Sequence, residues 1–238
     1  MVPTSLRPLV LSASVILLAA CGGEAPSTSM AKPSAAAPQA AELKAPAGTY
    51  KLDPNHASLT FKINHLGLSN YTARFTRFDA QLQLDPTDIT KSSITVTVDP
   101  ASVRTDYPGD YKAGHQKSPY ENWDQDLAQS PKFFNAGQFP QATFRSTKVE
   151  QAGAGKLRVT GDFEFLGQTL PVTLEVSLVG SYDKHPFNQR GAVGFTAVGA
   201  LNRSAYGMTH LLQPSVLVGD AVTLQFEGEF QQPAQSTQ

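Results

Sequence analysis

Between Lys156 and Gly180 the chain reads KLRVTGDFEFLGQTLPVTLEVSLVG, an almost unbroken alternation of apolar and polar residues. Leu157, Val159, Phe163 and Phe165 share one parity with Gly161, while Lys156, Arg158, Thr160, Asp162 and Glu164 share the other. Beyond Gly167-Gln168 the alternation resumes with Leu170, Val172, Leu174, Val176 and Leu178. Successive side chains of a strand point to opposite faces, so this is a pair of antiparallel strands with one wet and one dry face. A dry face cannot remain in water, and the pair therefore demands a shared interior built with other strands.

Six further segments supply them. Tyr50–His65 carries Leu59, Phe61 and Ile63 on one parity, and Tyr71–Leu84 carries Phe78, Ala80, Leu82 and Leu84, with Phe75 out of phase as at a bulge. Ser92–Asp99 carries Ile94, Val96 and Val98, and Gln141–Val149 carries Ala142, Phe144 and Ser146. Gly191–Asn202 carries Val193, Phe195, Ala197 and Leu201, and Ala221–Phe230 carries Val222, Leu224 and Phe226. Eight antiparallel strands in succession predict an all-β, up-and-down barrel, which removes exposed edges; a two-sheet sandwich fits the same period. The dry parity mixes large side chains with Ala80, Ala142, Gly161, Ala197 and Gly199. That mixture either leaves a cavity or fits the taper of a filled barrel.

Pro100–Pro140 interrupts the pattern with a long connection between the third and fourth strands, the kind of segment that forms lids and binding elements. Tyr120–Leu127 reads as a short helix ending before Pro131. With strands alternating in direction, one mouth collects the loop after His65, the Pro100–Pro140 connection, the Leu166-Gly167-Gln168 turn and the Asn202–Gly219 segment. His65 and Arg203 continue the inward parity of their strands and reach this rim as polar groups.

The first residues have another purpose. Arg7 precedes an apolar stretch from Leu9 to Ala20, too short to span a bilayer and followed by Cys21, the pattern of an export signal. Leu18-Ala19-Ala20-Cys21-Gly22 resembles a bacterial lipobox, which implies cleavage after residue 20, lipidation of Cys21 and a membrane anchor. Gly22 in place of aspartate points, under the sorting rule of enteric bacteria, to the outer membrane facing the periplasm. Residues 21–47 are Ala-, Pro- and Ser-rich and read as a tether, residues 48–230 as the folded domain, and 231–238 as a tail. A formal net charge of -1 gives no basis for nucleic-acid binding.

The stretches Tyr50-Lys51-Leu52-Asp53 with His56, Phe61–Gly67 (FKINHLG), Arg74-Phe75, Ser130–Asn135 (SPKFFN), Phe139–Phe144 (FPQATF), Arg203–Met208 (RSAYGM) and Val218-Gly219-Asp220 resemble the YceI-like, polyisoprenoid-binding family. The resemblance spans essentially Gly48 to Phe230 and implies a lipocalin-like eight-stranded barrel whose apolar interior holds a long isoprenoid chain, of ubiquinone or polyprenyl type. Asp106–Ser118 departs from it as a longer link before the FF motif.

On this reading the apolar lining is Phe61, Ile63, Phe78, Leu82, Val96, Phe144, Phe163, Phe165, Leu174, Phe195 and Phe226. The mouth is formed by His65, Trp123, Phe133, Phe134 and Arg203. Each mouth residue has a plainer alternative: Arg203 as a rim ion pair, His65 as a turn cap, and the three aromatics as packing for the long loop. His56 fixes the turn beside Asp53 and Asn55. No two of His56, His65, His115, His185 and His210 have metal-ligand spacing, and the one cysteine belongs to the anchor. No Gly-x-Ser-x-Gly elbow, carboxylate pair or phosphate loop is visible, and the resemblance implies a non-catalytic binding or carrier protein without a cofactor; an enzyme modifying the apolar ligand at the mouth and an interaction module with a filled core are the alternatives. No protein partner is legible.

Overall fold

A computed structural model describes residues 42–212 and 217–234. The export signal, Cys21 and most of the tether lie outside the described residues. Ten strands appear: β1 (Gly48–His65), β2 (Ser69–Phe75), β3 (Phe78–Leu84), β4 (Ser93–Val98), β5 (Val103–Arg104), β6 (Ala142–Gly153), β7 (Lys156–Phe165), β8 (Gln168–Tyr182), β9 (Ala192–Asn202) and β10 (Val218–Gln231). Eight of them form the ring β1-β3-β4-β6-β7-β8-β9-β10, which closes by antiparallel pairing of β10 with β1 from Lys51↔Gln231 to His65↔Val218. The architecture is a closed, eight-stranded antiparallel barrel rather than a sandwich.

The segment expected as one strand with a bulge divides in two. β1 pairs first with the end of β3 (Gly48↔Leu84 to Lys51↔Gln81) and then with β2 (Leu59↔Phe75 to His65↔Ser69), so β2 and β3 are one strand broken at Thr76-Arg77. The 3₁₀ turn Pro100–Ser102 satisfies the break, because Thr76 N–H donates to the Ser102 carbonyl and Arg77 N–H donates to Ser102 Oγ. The two-residue β5 then extends the sheet on β2 through Phe75↔Val103. Opposite, β1 bulges between Leu52 and Ala57, where Asp53 accepts from Asn55 N–H at 2.9 Å and lies 2.9 Å from His56 Nδ1.

Tyr50, Leu52, Leu82, Leu84, Val193 and Phe230 pack into a dense plug at one end, where β1 begins and β10 ends. Burial pushes the Tyr50 phenol up to about 12, and its hydroxyl donates to the Pro46 carbonyl at 2.7 Å. The packing of this plug begins before β1. Ala45 is only 1% exposed, Lys44 N–H donates to Ser181 Oγ, and Ser181 Oγ donates to the Glu42 carbonyl. Residues 42–47 are therefore held on the plug because Ala45 fills its outer layer. At the other boundary Gln231 is still paired, and Gln232 N–H reaches the Gly191 carbonyl.

The opposite end is covered by the long connection. The short α1 (Tyr111–Gly114) precedes α2 (Trp123–Gln129), whose first turn is capped by the Asn122 side chain accepting from Gln125 N–H at 2.9 Å. Phe134 comes down from this cover onto Phe61, Phe75 and Phe165, at ring separations of 5.9, 5.6 and 6.0 Å.

Candidate functional site

In a filled barrel the inward side chains would all be buried. Here Val96, Phe163, Phe195, Leu174 and Phe226 point inward yet are only half-buried, because they face a cavity of about 600 Å³ between the plug and the cover. The inward glycines do not create this space. A Cβ at Gly161 would lie 2.5 Å from the Phe144 ring and the Arg145 carbonyl, and one at Gly199 would lie 2.4 Å from Leu174 Cδ2. Large neighbours lie flat over these glycines, and the hollow remains along the axis.

Every side chain expected to line the interior does so except Phe78. Phe78 follows the break at Thr76-Arg77 and packs on Phe226 at 6.3 Å, while Phe75 takes the place on the wall. Tyr71, Leu127 and Met208 also line the cavity, and neither the alternation nor the family motifs mark them for it. They belong to the start of a strand, the cover helix and an irregular turn, where a two-residue period gives no orientation.

His65, Trp123, Phe133, Phe134 and Arg203 all reach the cavity, in different roles. His65 ends β1 in an exposed position, just before the tight turn Leu66-Gly67. Asn64 secures that turn by accepting from Gly67 N–H at 2.8 Å. Phe134 is buried, whereas Phe133 meets His210 edge-on at 5.4 Å. Burial among cations holds the His210 ring below its usual range. The SPKFFN motif is the device that inserts Phe134. Ser130 O accepts from Phe133 and Asn135 N–H, Phe134 N–H bonds Leu127 O, and Asn135 takes the left-handed conformation (φ 44°) that asparagine tolerates. Trp123 stands in an aromatic group with Tyr107, Tyr111 and His115 at 6.2, 5.0 and 4.6 Å.

Arg203 is not free, and among the described residues it forms no ion pair. It is 3% exposed, and its Nε, Nη1 and Nη2 donate to the carbonyls of Gly219 (2.8 Å), Met208 (3.0 Å) and Val218 (2.9 Å). Gly207 turns the chain at φ 84° so that Met208 N–H bonds back to Arg203 O. Asp220 secures the same corner by accepting from Ser204 N–H (2.9 Å) and Oγ–H (2.7 Å). The conspicuous RSAYGM and VGD stretches thus clamp the β9–β10 connection. Desolvation, opposed by Asp220, lowers the Arg203 guanidinium from its ordinary range.

Beside the mouth, a second cleft of about 280 Å³ shares Tyr107 and Trp123 with the main cavity and is bordered by Asp106, Asp110, Glu121 and Asp124. On the outer surface the fold brings ligand atoms of Asp53, His56 and Glu229 within 4.8 Å of one another, a grouping that chain spacing does not disclose. The Asp53 carboxylate there is already engaged by Asn55, His56 and, at 3.3 Å, Gln231 Nε2. The His56 contact lowers the Asp53 carboxyl and raises the His56 ring.

Residues 50–230 match the YceI-like domain family. The chain is 33% identical over 164 residues to a UPF0312 protein of Vibrio cholerae, covering 68% of this chain and 78% of that protein. Among solved structures, BcnA of Burkholderia cenocepacia superposes with a TM-score of 0.58 at 25% identity, covering 75% of this chain and 98% of that one. A polyisoprenoid binding domain from Saccharophagus degradans shares the fold at 14% identity, with a TM-score of 0.52 and coverage of 77% and 98%.

Proposed function

The chain belongs to the YceI-like family, and from that premise we propose that it is a non-catalytic carrier for a long isoprenoid chain in the cell envelope. The observation that carries the proposal is the hollow between plug and cover, about 600 Å³ and walled almost wholly by hydrocarbon side chains. A prenyl tail has no hydrogen-bonding groups, so dry shaped walls are all that its recognition requires. Burial contributes roughly 0.8 kcal/mol per methylene before the costs of association, which makes tail length the main determinant of affinity. The polyisoprenoid-binding description of a domain sharing this fold is consistent with such a ligand. The lining residues, including Phe61, Leu82, Phe144, Phe163 and Phe195, grip the tail, and the head rests near His65 and Trp123. Export and lipidation at Cys21 place the carrier on the periplasmic side of the outer membrane, where a prenyl lipid needs shielding from water.

Native mass spectrometry with benzoquinones of increasing prenyl-tail length tests the carrier reading. Retention that strengthens with each added unit until the cavity is full is the expected result. Failure to take up any prenylated compound, or affinity independent of the tail, overturns it. Separately, the N-terminal peptide of the mature protein should carry acyl chains on Cys21 and lose them in Cys21→Ser.

A further inference from the structure

Six non-glycine residues among those described hold φ in the left-handed region. Asp106, Asn135 and Gln189 are polar, but the other three are Leu66 (φ 55°), Leu166 (φ 50°) and Leu211 (φ 64°). Glycine and asparagine take that conformation at little cost, and leucine does not. All three leucines stand in connections at the mouth: Leu66 between β1 and β2, Leu166 between β7 and β8, and Leu211 between β9 and β10. That cost, met three times by an apolar side chain at one end of the barrel, needs a use for those side chains there.

Leu66 and Leu68 stand exposed at the tip of the β1–β2 turn, Leu68 at 84%. Leu66 N–H donates to the Leu217 carbonyl at 2.9 Å, which sets the exposed Leu217 beside them. The sequence around these leucines carries no Asp, Glu, Lys or Arg from Ile63 to Ala73 or from Ser204 to Gly219. The hollow reaches the surface under this rim, because His65 and Ser69, which flank the turn, line the cavity and are themselves exposed. Apolar surface outside is thus continuous with apolar wall inside. At the other end Phe187 is 94% exposed, but its connection also carries Asp183, Lys184 and Arg190, and the dense plug closes that end.

An uncharged apolar rim matches the hydrocarbon boundary of a bilayer. On the carrier reading a bilayer is also at hand, through the anchor at Cys21. Cys21 and Glu42 are 21 residues apart, a contour of about 70 Å. The Glu42 carbonyl is held at the plug, and from plug to mouth the wall is roughly 35 Å long for a 14-residue β10 at the usual strand tilt. The mouth can therefore reach the membrane that holds the chain, at high effective concentration. We propose that Leu66, Leu68 and Leu217 seat the mouth on a lipid bilayer, so that a prenyl tail passes between membrane and cavity without crossing water. This use of the rim rests on the carrier reading; the seating itself does not.

The test uses the chain from residue 21 with Cys21→Ser, which cannot be acylated, and vesicles of phosphatidylethanolamine and phosphatidylcholine. Flotation with quinone-free vesicles reads the seating by itself. In lipid excess this chain floats equally at low and high salt, Leu68→Asp floats about tenfold less, and Phe187→Asp floats as well as the chain without it. With geranylgeranyl-benzoquinone in the vesicles, Leu68→Asp takes up the quinone about tenfold more slowly, yet once loaded from detergent holds it as tightly. Leu68→Met, which keeps an apolar side chain, behaves as leucine in both assays. Leu68 is exposed, so none of these changes should move the unfolding midpoint. Absence of flotation, flotation that salt or Phe187→Asp abolishes or that Leu68→Asp leaves intact, or a Leu68-dependent dimer without flotation overturns the inference. Flotation lost in Leu68→Asp, with no uptake of quinone by any chain, removes the carrier reading and leaves the rim as a membrane contact.

Discussion

Replacing Arg203 by methionine preserves most of the side-chain volume while removing its donors from the carbonyls of Gly219, Met208 and Val218. A buried acceptor left unmade costs about 1–3 kcal/mol. The three losses will not add, because Val218 and Gly219 are half-buried and their carbonyls can turn towards water as the connection relaxes. Met208 is only 8% exposed and has no such outlet. The expected loss is therefore about 3 kcal/mol, a fall in Tm of roughly 6–12 °C for a domain of this size. Arg203→Lys keeps the charge but not the planar fork, and should lose about half as much. Urea unfolding followed by the fluorescence of Trp123, the only tryptophan, measures both. A loss below about 1 kcal/mol, with a selective loss of anionic ligand, would refute the clamp and return Arg203 to the head-group role.

Gly161→Ala places a methyl group 2.5 Å from the Arg145 carbonyl, which is backbone and cannot step aside, so a stability loss of about 1–3 kcal/mol is expected by thermal unfolding. An unchanged midpoint would mean that β6 and β7 stand further apart at this point than their pairing requires. Tyr206→Phe deletes a buried hydroxyl with no partner among the described residues and should raise stability by about 1 kcal/mol; a loss of similar size would reveal a hidden partner. Asp53 raises His56 above its ordinary 6.5, so the contact stabilises the fold fully below about that pH and is lost as pH climbs through the raised value. At the acid end Asp53 is lowered from 3.8, and its contribution disappears as pH falls through the lowered value. Proton NMR titration should find the His56 midpoint above 6.5 and back in the ordinary range in Asp53→Asn; identical midpoints would sever the pair.

Alternation alone revealed most of the wall, because a closed barrel leaves each strand only two faces. It failed at Phe78, which keeps the inward parity of Ala80, Leu82 and Leu84 but lies against Phe226 at the break instead of on the hollow. The hollow itself was not legible. Whether Gly161 and Gly199 mark empty space depends on where the rings of Phe144 and the side chain of Leu174 settle, and those come from neighbouring strands. Arg203 could be placed at the mouth from its parity, but its carbonyl partners lie in a connection without periodic pattern.

The seam between β1 and β10 has a consequence in time. Lys51 and Gln231 stand side by side, so the ring closes by joining the two ends of the domain across nearly its whole sequence. Contacts of such separation form slowly, since the intervening chain must first be gathered. A chain that stops at Leu212 has every wall of the ring but the last, and its apolar interior lies open along one side. The container is therefore finished only by its final strand. A tail already lying against the open wall at that moment would be enclosed by the closing seam, with no need to pass through the mouth.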